Sequence, residues 1–433
     1  MRGIFFAGIA LLLAGRCAQA NMGTIFGLGP KSMSTGATSF LQGDWDSFAT
    51  FSAPAALGFL REAEVTLGML HMDPNLKPFG TLVLNSNGTR GEFSDAGVLE
   101  GNGQLVGFAF PIGSGSRPFT IGGNFYLPSS GLVRVSGSPV NYPFYPMYSD
   151  ISRNAFFVVG AGYRIWRGLA LGVNLRSTSK SVAQYQLRSD NTINYSASAV
   201  EARSENRFSA SLLYDHGLEH DSQWSLGAMY RARSSLETRL SADVSAFVPV
   251  QGELVSTPSY SPSEWVGAFS WRSERDLTVS TDVALVEWKG YTAPYGSGNI
   301  NFYVIGDRGK QAGFKNVWVP RAGVQKKFRY QGSVRSLAIR GGGFYYPSPV
   351  PDQIEDSNYV DNDRWGATAG AGLGLKNPWR EQPGDAIRVE LAVQYNRLRE
   401  RHVTKVASTN VGAPGYTTGG EIWIYGMSGT FVF

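Results

Sequence analysis

Alternation of apolar and polar residues with a period of two recurs from about residue 63 to Phe433, and it limits the possible folds more than any other feature. Ile387, Val389, Leu391, Val393 and Tyr395 fall on one face of an extended segment, and Arg388, Glu390, Ala392, Gln394 and Asn396 on the other. Trp224, Leu226, Ala228 and Tyr230 oppose Ser225, Gly227 and Arg231 in the same way. Leu277, Val279, Val283 and Leu285 oppose Thr278, Ser280 and Asp282. A half-buried soluble sheet gives this pattern, and so does a membrane barrel. The number, length and spacing of the segments must separate the two.

Fourteen segments fit strands: 63–72, 102–110, 118–127, 154–164, 168–188, 193–215, 223–243, 262–272, 277–288, 316–329, 334–346, 364–376, 386–400 and 421–433. Their connections alternate between short turns and long loops, except that the link after Arg188 is short where a long one is due. Short turns on one rim and long loops on the other are the asymmetry of an outer-membrane barrel, and an even strand count returns both barrel ends to the periplasmic rim. Trp166, Trp224, Trp271 and Trp379 lie beside short turns, and Trp265, Trp288, Trp318 and Trp365 toward long loops. Two interfacial girdles would have this arrangement. The last segment carries Trp423, Tyr425, Met427, Phe431 and Phe433 on one face, the kind of aromatic strand that barrel-assembly machinery reads. After residue 20 no run of some 18 apolar residues occurs, so helical spans are excluded.

The first twenty residues read as a cleaved secretory signal, with Arg2, an apolar run Ile4 to Leu13, and the Ala18-Gln19-Ala20 cleavage site. Cys17 is the only cysteine, so the mature chain has no disulfide, cysteine nucleophile or metal thiolate. Cys17 also admits a lipoprotein reading, against which Arg16 occupies the position the lipobox would give to cysteine. The formal net charge of +5 is mild and dispersed, which argues against a nucleic-acid partner.

Residues 21–60 break the alternation: they are small and Gly-rich, with Ile25, Phe26, Leu28, Phe40, Phe48 and Phe51 embedded. A barrel of fourteen strands has a lumen wider than its own side chains fill. The expected organisation is therefore a signal peptide (1–20), an N-terminal hatch folded into the lumen (21–60) and an all-β, 14-stranded antiparallel transmembrane barrel (61–433) in the bacterial outer membrane. It is expected to be monomeric and to contact outer-membrane lipids and lipopolysaccharide.

Several stretches resemble the FadL-type transporters of long-chain fatty acids and other hydrophobic compounds. Ile339-Arg340-Gly341-Gly342-Gly343-Phe344-Tyr345-Tyr346 runs into Pro347-Ser348-Pro349-Val350-Pro351-Asp352, then Asp361-Asn362-Asp363-Arg364-Trp365 and Gly370 to Leu375. Tyr260 to Trp265, Val283 to Trp288 and Phe314 to Trp318 are similar as well. Gly27-Leu28-Gly29 and Ser52-Ala53-Pro54-Ala55-Ala56-Leu57 resemble the family's hatch. Ala53 stands where the family carries Asn, which puts the polar contacts of that position in doubt. The resemblance implies passive uptake of hydrophobic solutes past a hatch, with Ile25, Phe26, Ala53, Pro54 and Ala55 at the gate. Release would then be lateral, through the barrel wall. No cofactor or metal is implied.

Basic residues are the natural partners of a carboxylate. Arg340 and Arg388 are expected to face the lumen, and Lys315 and Arg321 flank or begin the tenth strand; the alternative for each is a salt bridge within the wall. An aromatic hydrocarbon solute would require none of them. A polar-solute porin and an outer-membrane hydrolase are the competing readings. His216-Gly217-Leu218-Glu219-His220 has the letters of an inverted zinc-protease motif, but that chemistry needs a helix, and the pentapeptide falls in a short turn. The remaining histidines, His71 and His402, sit in no recognisable nucleophile arrangement.

Overall fold

The computed structural model describes residues 23, 26–40, 44–85, 87–113, 119–129, 142–148, 155–189, 194–216, 223–243, 251–291, 295–298, 312–376 and 385–433. The strands in chain order are β1 (Glu64–Leu76), β2 (Gly80–Val83), β3 (Arg90–Phe93), β4 (Gly101–Ile112), β5 (Phe119–Pro128), β6 (Phe156–Arg164), β7 (Leu169–Ser189), β8 (Asn194–Asp215), β9 (Gln223–Arg231) and β10 (Ser234–Asp243). They continue with β11 (Gln251–Ser261), β12 (Ser263–Arg272), β13 (Leu277–Glu287), β14 (Tyr295–Gly298), β15 (Val317–Arg329), β16 (Val334–Tyr346), β17 (Arg364–Leu375), β18 (Ile387–Thr404) and β19 (Gly415–Val432). Fourteen of them close a barrel in the order β1-β19-β18-β17-β16-β15-β13-β12-β9-β8-β7-β6-β5-β4.

Every barrel pair is antiparallel, and β19 closes on β1 with Glu64 opposite Val432 and Leu76 opposite Gly420. Both barrel ends therefore lie on the short-turn rim. The alternation sorts as the sequence predicts for a membrane barrel. Leu67, Met69, Leu171, Val173, Leu175, Val283, Leu391, Tyr425 and Met427 are exposed on the outer wall, whereas Asn174, Ser211, Asp282, Glu390, Gln394 and Asn396 are buried inside. Closure leaves no unpaired edge in the hydrocarbon, where each unsatisfied backbone group would cost several kcal/mol. Among the described residues no helix is long and apolar enough to cross a membrane.

Three features differ from the sequence reading. The segment 223–243 is two strands: β9 stays in the barrel, and β10 leaves it to pair with β11 in a separate sheet β10-β11-β14. At the break the Arg207 side chain donates to the Ala232 carbonyl, while the Ala232 amide still donates to the Phe208 carbonyl of β8 at 2.9 Å. Part of the stretch read as long loops is also sheet, in this three-stranded unit and in the β2-β3 pair. The short link after Arg188 is the tip of a hairpin whose 21- and 22-residue strands stay paired to Ser189 and Asn194. Trp288 does not join the outer girdle; it is fully buried and donates from Nε1 to Tyr346 Oη at 2.9 Å. Trp265, Trp318 and Trp365 do face outward, and Tyr230 packs on Trp265 and Tyr345 on Trp365, each at 4.4 Å between centroids.

Residues 26–40 and 44–60 lie inside the barrel, with two short helices, α1 (Pro30–Ser34) and α2 (Ala49–Ser52), followed by a 3-10 turn from Pro54 to Phe59. Their backbone meets the wall where the wall has no side chain: a Cβ on Gly172 would overlap Pro54 and the Ala55 nitrogen, and one on Gly342 would overlap Thr35 and Gly36. Residues 1–20, Ile25 and Trp379 lie outside the described residues.

Candidate functional site

The polar inner wall holds the N-terminal segment from several sides. Asn124 donates to the Ser47 carbonyl at 2.9 Å and Asn174 to the Thr50 carbonyl at 2.6 Å. Ser211 Oγ accepts from the Ala55 amide at 2.7 Å, Asp282 from the Ser39 amide at 2.8 Å, and Thr368 from the Gly36 amide at 2.9 Å. Ala53 itself is fully buried and ends α2, its amide bonded to the Ala49 carbonyl at 2.8 Å. Asn124 and Asn174, on β5 and β7, supply amide contacts to the backbone of this segment from the wall side.

Three of the four basic residues singled out in the sequence point into the lumen, and each meets acids there. Arg340 pairs with Glu390 and reaches Asp44 of the N-terminal segment at 3.1 Å, while its Nε donates to Gln325 at 2.6 Å. Arg388 pairs with Glu64, whose other oxygen accepts from the Ser47 amide. Arg321 bonds Glu264 at 3.2 Å and Asp282 at 3.4 Å. Lys315 is apart from these: it is exposed, just before β15, and its amide donates to the Pro349 carbonyl at 2.9 Å. Asp44 is buried, which opposes ionisation, yet Lys31, Lys327, Arg340 and Arg388 together hold its carboxyl well below the usual range.

Above this ionic layer the interior is aromatic. A ladder of buried rings descends from the loops to the N-terminal segment: Tyr416 to Phe79 at 5.5 Å, Phe79 to Tyr145 at 5.8 Å, Tyr145 to Tyr148 at 6.0 Å, and Tyr148 to Phe26 at 6.3 Å. A second group joins Trp288, Phe314, Tyr291, Tyr359 and Phe144, with Phe314 at 6.1 Å from Trp288 and 4.8 Å from Tyr291. Such spacings are those of favourable offset and edge contacts.

Arg364 stands at the foot of the ladder, 1 % exposed. Its guanidinium lies 5.1 Å from the Phe26 ring, 5.7 Å from Tyr148, 5.3 Å from Phe344 and 5.1 Å from Tyr346. It also donates to Tyr148 Oη at 3.2 Å. A desolvated cation–π contact is worth about 2 kcal/mol, so this residue clamps the loops, the wall and Phe26 together. The sequence pattern Asp361-Asn362-Asp363-Arg364 marked the stretch without marking this role. The inward parity of Arg364, opposite to that of Trp365, is the signal that points to it.

The Pro347–Asp352 loop is pinned at both ends. Ser348 donates its amide to Asp363 at 2.9 Å, and Arg401 reaches the Val350 carbonyl at 3.0 Å and Asp352 at 2.7 Å. Lys405 donates to the carbonyls of Gln353, Glu355 and Ser357 at 2.8, 2.6 and 2.8 Å. Among the described residues no group of three His, Cys, Asp or Glu side chains is placed to hold a metal. His216 packs on Trp224 at 4.8 Å, and residues 217–220 lie outside the described residues.

The same architecture occurs in solved outer-membrane proteins. The chain superposes on a FadL homologue from Pseudomonas aeruginosa with a TM-score of 0.58 and 15% sequence identity, covering 96% of this chain and 99% of that one. Its fold is that of the FadL barrels. The Pseudomonas putida toluene transporter TodX matches with a TM-score of 0.54 and 14% identity over 94% of this chain and 99% of that one. In sequence, the chain is 24% identical over 444 residues to alkane uptake protein A of Marinobacter nauticus, covering 96% of this chain and 92% of that protein. No family model matches. Fold, strand topology and polar-in, apolar-out wall make it an integral outer-membrane barrel.

Proposed function

We propose that this FadL-type barrel is a passive channel for hydrophobic molecules, with long-chain fatty acids as the first solute class. The observation that carries the reading is the continuous ladder of buried rings from the extracellular loops to Phe26. Each CH₂ held in water costs about 0.8 kcal/mol, so a sixteen-carbon chain costs on the order of 12 kcal/mol and needs an apolar route throughout. Residues 26–60 serve as the hatch: they fill the lumen under the ladder, and their ties to the wall are incompatible with an open aqueous pore. A solute that has passed Phe26 leaves sideways through the wall into the membrane, because the lumen below is ionic and filled.

Neutral hydrocarbons are the second reading. Two observations favour it: Arg340, Arg388 and Arg321 are each paired with carboxylates of the protein itself, and a relative over nearly the full chain is named for alkane uptake.

The test is made on purified protein in liposomes. Labelled oleate and labelled hexadecane are titrated onto it, and sugar-driven swelling is measured in parallel. The proposal expects saturable binding of at least one of the two and no swelling above empty liposomes. Rapid swelling with sugars and no binding of either would make this a polar-solute porin.

A further inference from the structure

The outer wall of the barrel is not evenly bulky. On β16 and β17 several outward positions are small: Gly341 stands opposite Ala369 and Gly343 opposite Ala367. On β18, β19 and β1 the outward side chains are large, with Leu391, Tyr425, Met427 and Met69 all exposed. The step between small and large residues leaves an apolar groove of about 660 Å³, lined by Ala369, Ala371, Leu391, Tyr425, Met427 and Met69 among others. A Cβ at Gly341 would meet only the Thr368 carbonyl, at 3.6 Å, so bare main chain continues the low ground onto β16.

Above the groove runs an aromatic belt. Trp365 packs on Tyr345 at 4.4 Å and Trp423 on Tyr395 at 4.8 Å, and such rings sit best at head-group level. The groove therefore starts near the head groups on the long-loop side and runs down into the hydrocarbon. Just above the belt β18 presents Arg397 and Arg399, both exposed. Arg397 lies 3.7 Å from Glu421, which also accepts from Tyr395 Oη at 2.9 Å. Arg399 donates its amide to the Asp363 carbonyl at 2.8 Å, which sets it beside Trp365, and its guanidinium has no ion pair among the described residues. The neighbouring acids have other partners: Asp363 accepts from Tyr345 Oη at 3.0 Å and from the Ser348 amide at 2.9 Å, and Glu400 pairs with Lys77. At the far corner the His71 ring stacks on Tyr425 at 5.9 Å, with Nδ1 2.8 Å from Asn102 Oδ1.

Lipid tails are as apolar as leucine, so hiding apolar wall from them brings no gain, and packing decides what sits where. A recess left unfilled forfeits van der Waals contacts along its lining, and one straight acyl chain laid into it restores them. An unpaired guanidinium at the head of the recess suits a phosphate, which arginine holds through two parallel hydrogen bonds. We propose that the groove is a binding site for the phosphorylated, acylated glycolipid of the outer leaflet, the lipid A part of lipopolysaccharide. One acyl chain lies on Ala369 and Ala371, and a phosphate meets Arg399 with Arg397 beside it. The site is on the outside of the wall, away from the ladder of rings, and is independent of which solute crosses.

Purified, folded protein in detergent micelles is titrated with lipid A and with lipid A stripped of its phosphates, and bound lipid is counted by native mass spectrometry. Wild type should bind lipid A on the order of fivefold more tightly than the stripped form, the size of one arginine's attraction to an anionic lipid surface. Arg399→Gln should lose that preference and still bind the stripped form. Ala369→Phe fills the recess and should weaken both by about tenfold. Val173→Phe, an equally outward position on β7 across the barrel, should match wild type. Gly341→Leu makes the same comparison if Ala369→Phe fails to give a heat-modifiable barrel. Equal lipid A binding by wild type and the filled variant, or no preference for the phosphorylated form in wild type, would overturn the site. A dimer of barrels that Ala369→Phe dissociates would also overturn it, since the groove would then be an interface between copies of this chain.

Discussion

Arg340 Nη2 on the barrel wall lies 3.1 Å from Asp44 Oδ2 of the N-terminal segment, and the same guanidinium is paired with Glu390 two strands away. One side chain thus ties the segment to two strands of the wall, and Lys31 and Lys327 complete the charge around Asp44. Breaking a buried pair by removing one partner costs about 3–5 kcal/mol, because the other charge is left uncompensated. Asp44→Ala should therefore loosen the segment while the barrel still folds. Liposome swelling with small sugars should rise clearly above wild type; unchanged swelling would mean that the pair does not secure the plug.

Glycine positions give an independent handle on the same contact. Gly172→Val places a side chain where Pro54 and Ala55 already stand, whereas Gly267 has nothing within 4 Å of a built Cβ. Gly172→Val should raise polar leakage and susceptibility of residues 26–60 to protease, and Gly267→Val should match wild type in both. Equal behaviour of the two variants would contradict the packing described.

The aromatic ladder predicts a concentration-dependent defect. Phe79 links Tyr416 to Tyr145 at 5.5 and 5.8 Å. Phe79→Ala should lower hydrophobic uptake by about tenfold at limiting solute, the loss of roughly 1.4 kcal/mol of capture. The deficit should shrink at saturating solute. A uniform loss at all concentrations would indicate disturbed assembly instead.

Asp361, in the loop between β16 and β17, gives a pH dependence. Burial pushes its carboxyl up to about 6, against the opposing pull of Arg364 and Arg401. The folded pKa is raised above the unfolded one, so this group's stabilising contribution is full below about pH 4 and is lost as pH rises through 6. Limited proteolysis of the 347–363 loop should be slower at pH 4.5 than at pH 7, and Asp361→Asn should flatten that difference. A wild-type loop equally sensitive at both pH values would contradict the assignment.

Much of the barrel was legible because parity along a strand fixes which face a side chain takes. Leu171, Val173 and Leu175 outward set Gly172, Asn174 and Arg176 inward with no further information. Trp288 obeys the same rule and not its nearness to a long loop: it shares parity with Ala284 and Val286, both buried inside. Parity names a face but not a partner. The Arg340–Asp44 pair spans 296 residues, and the Arg207 contact with the Ala232 carbonyl, where β10 leaves the barrel, depends on strand register. β2, β3 and β14 are four residues each, too short to read as membrane strands; β11 read as loop, and β10 read as the continuation of β9. Arg176 could be assigned to the lumen from sequence, but that Arg207 and Val158 stand opposite it emerges only from the strand register.

The central claim is that hydrophobic molecules cross the outer membrane through this barrel while small polar ones do not. It is tested most directly by uptake of labelled oleate and hexadecane into cells deleted for their own hydrophobic-solute channel and carrying this protein, folded, in the outer membrane. The account predicts uptake of at least one of them several-fold faster than in empty-vector cells, with sugar permeability unchanged. Uptake of both at the empty-vector level, with the protein folded and surface-localised, would contradict it.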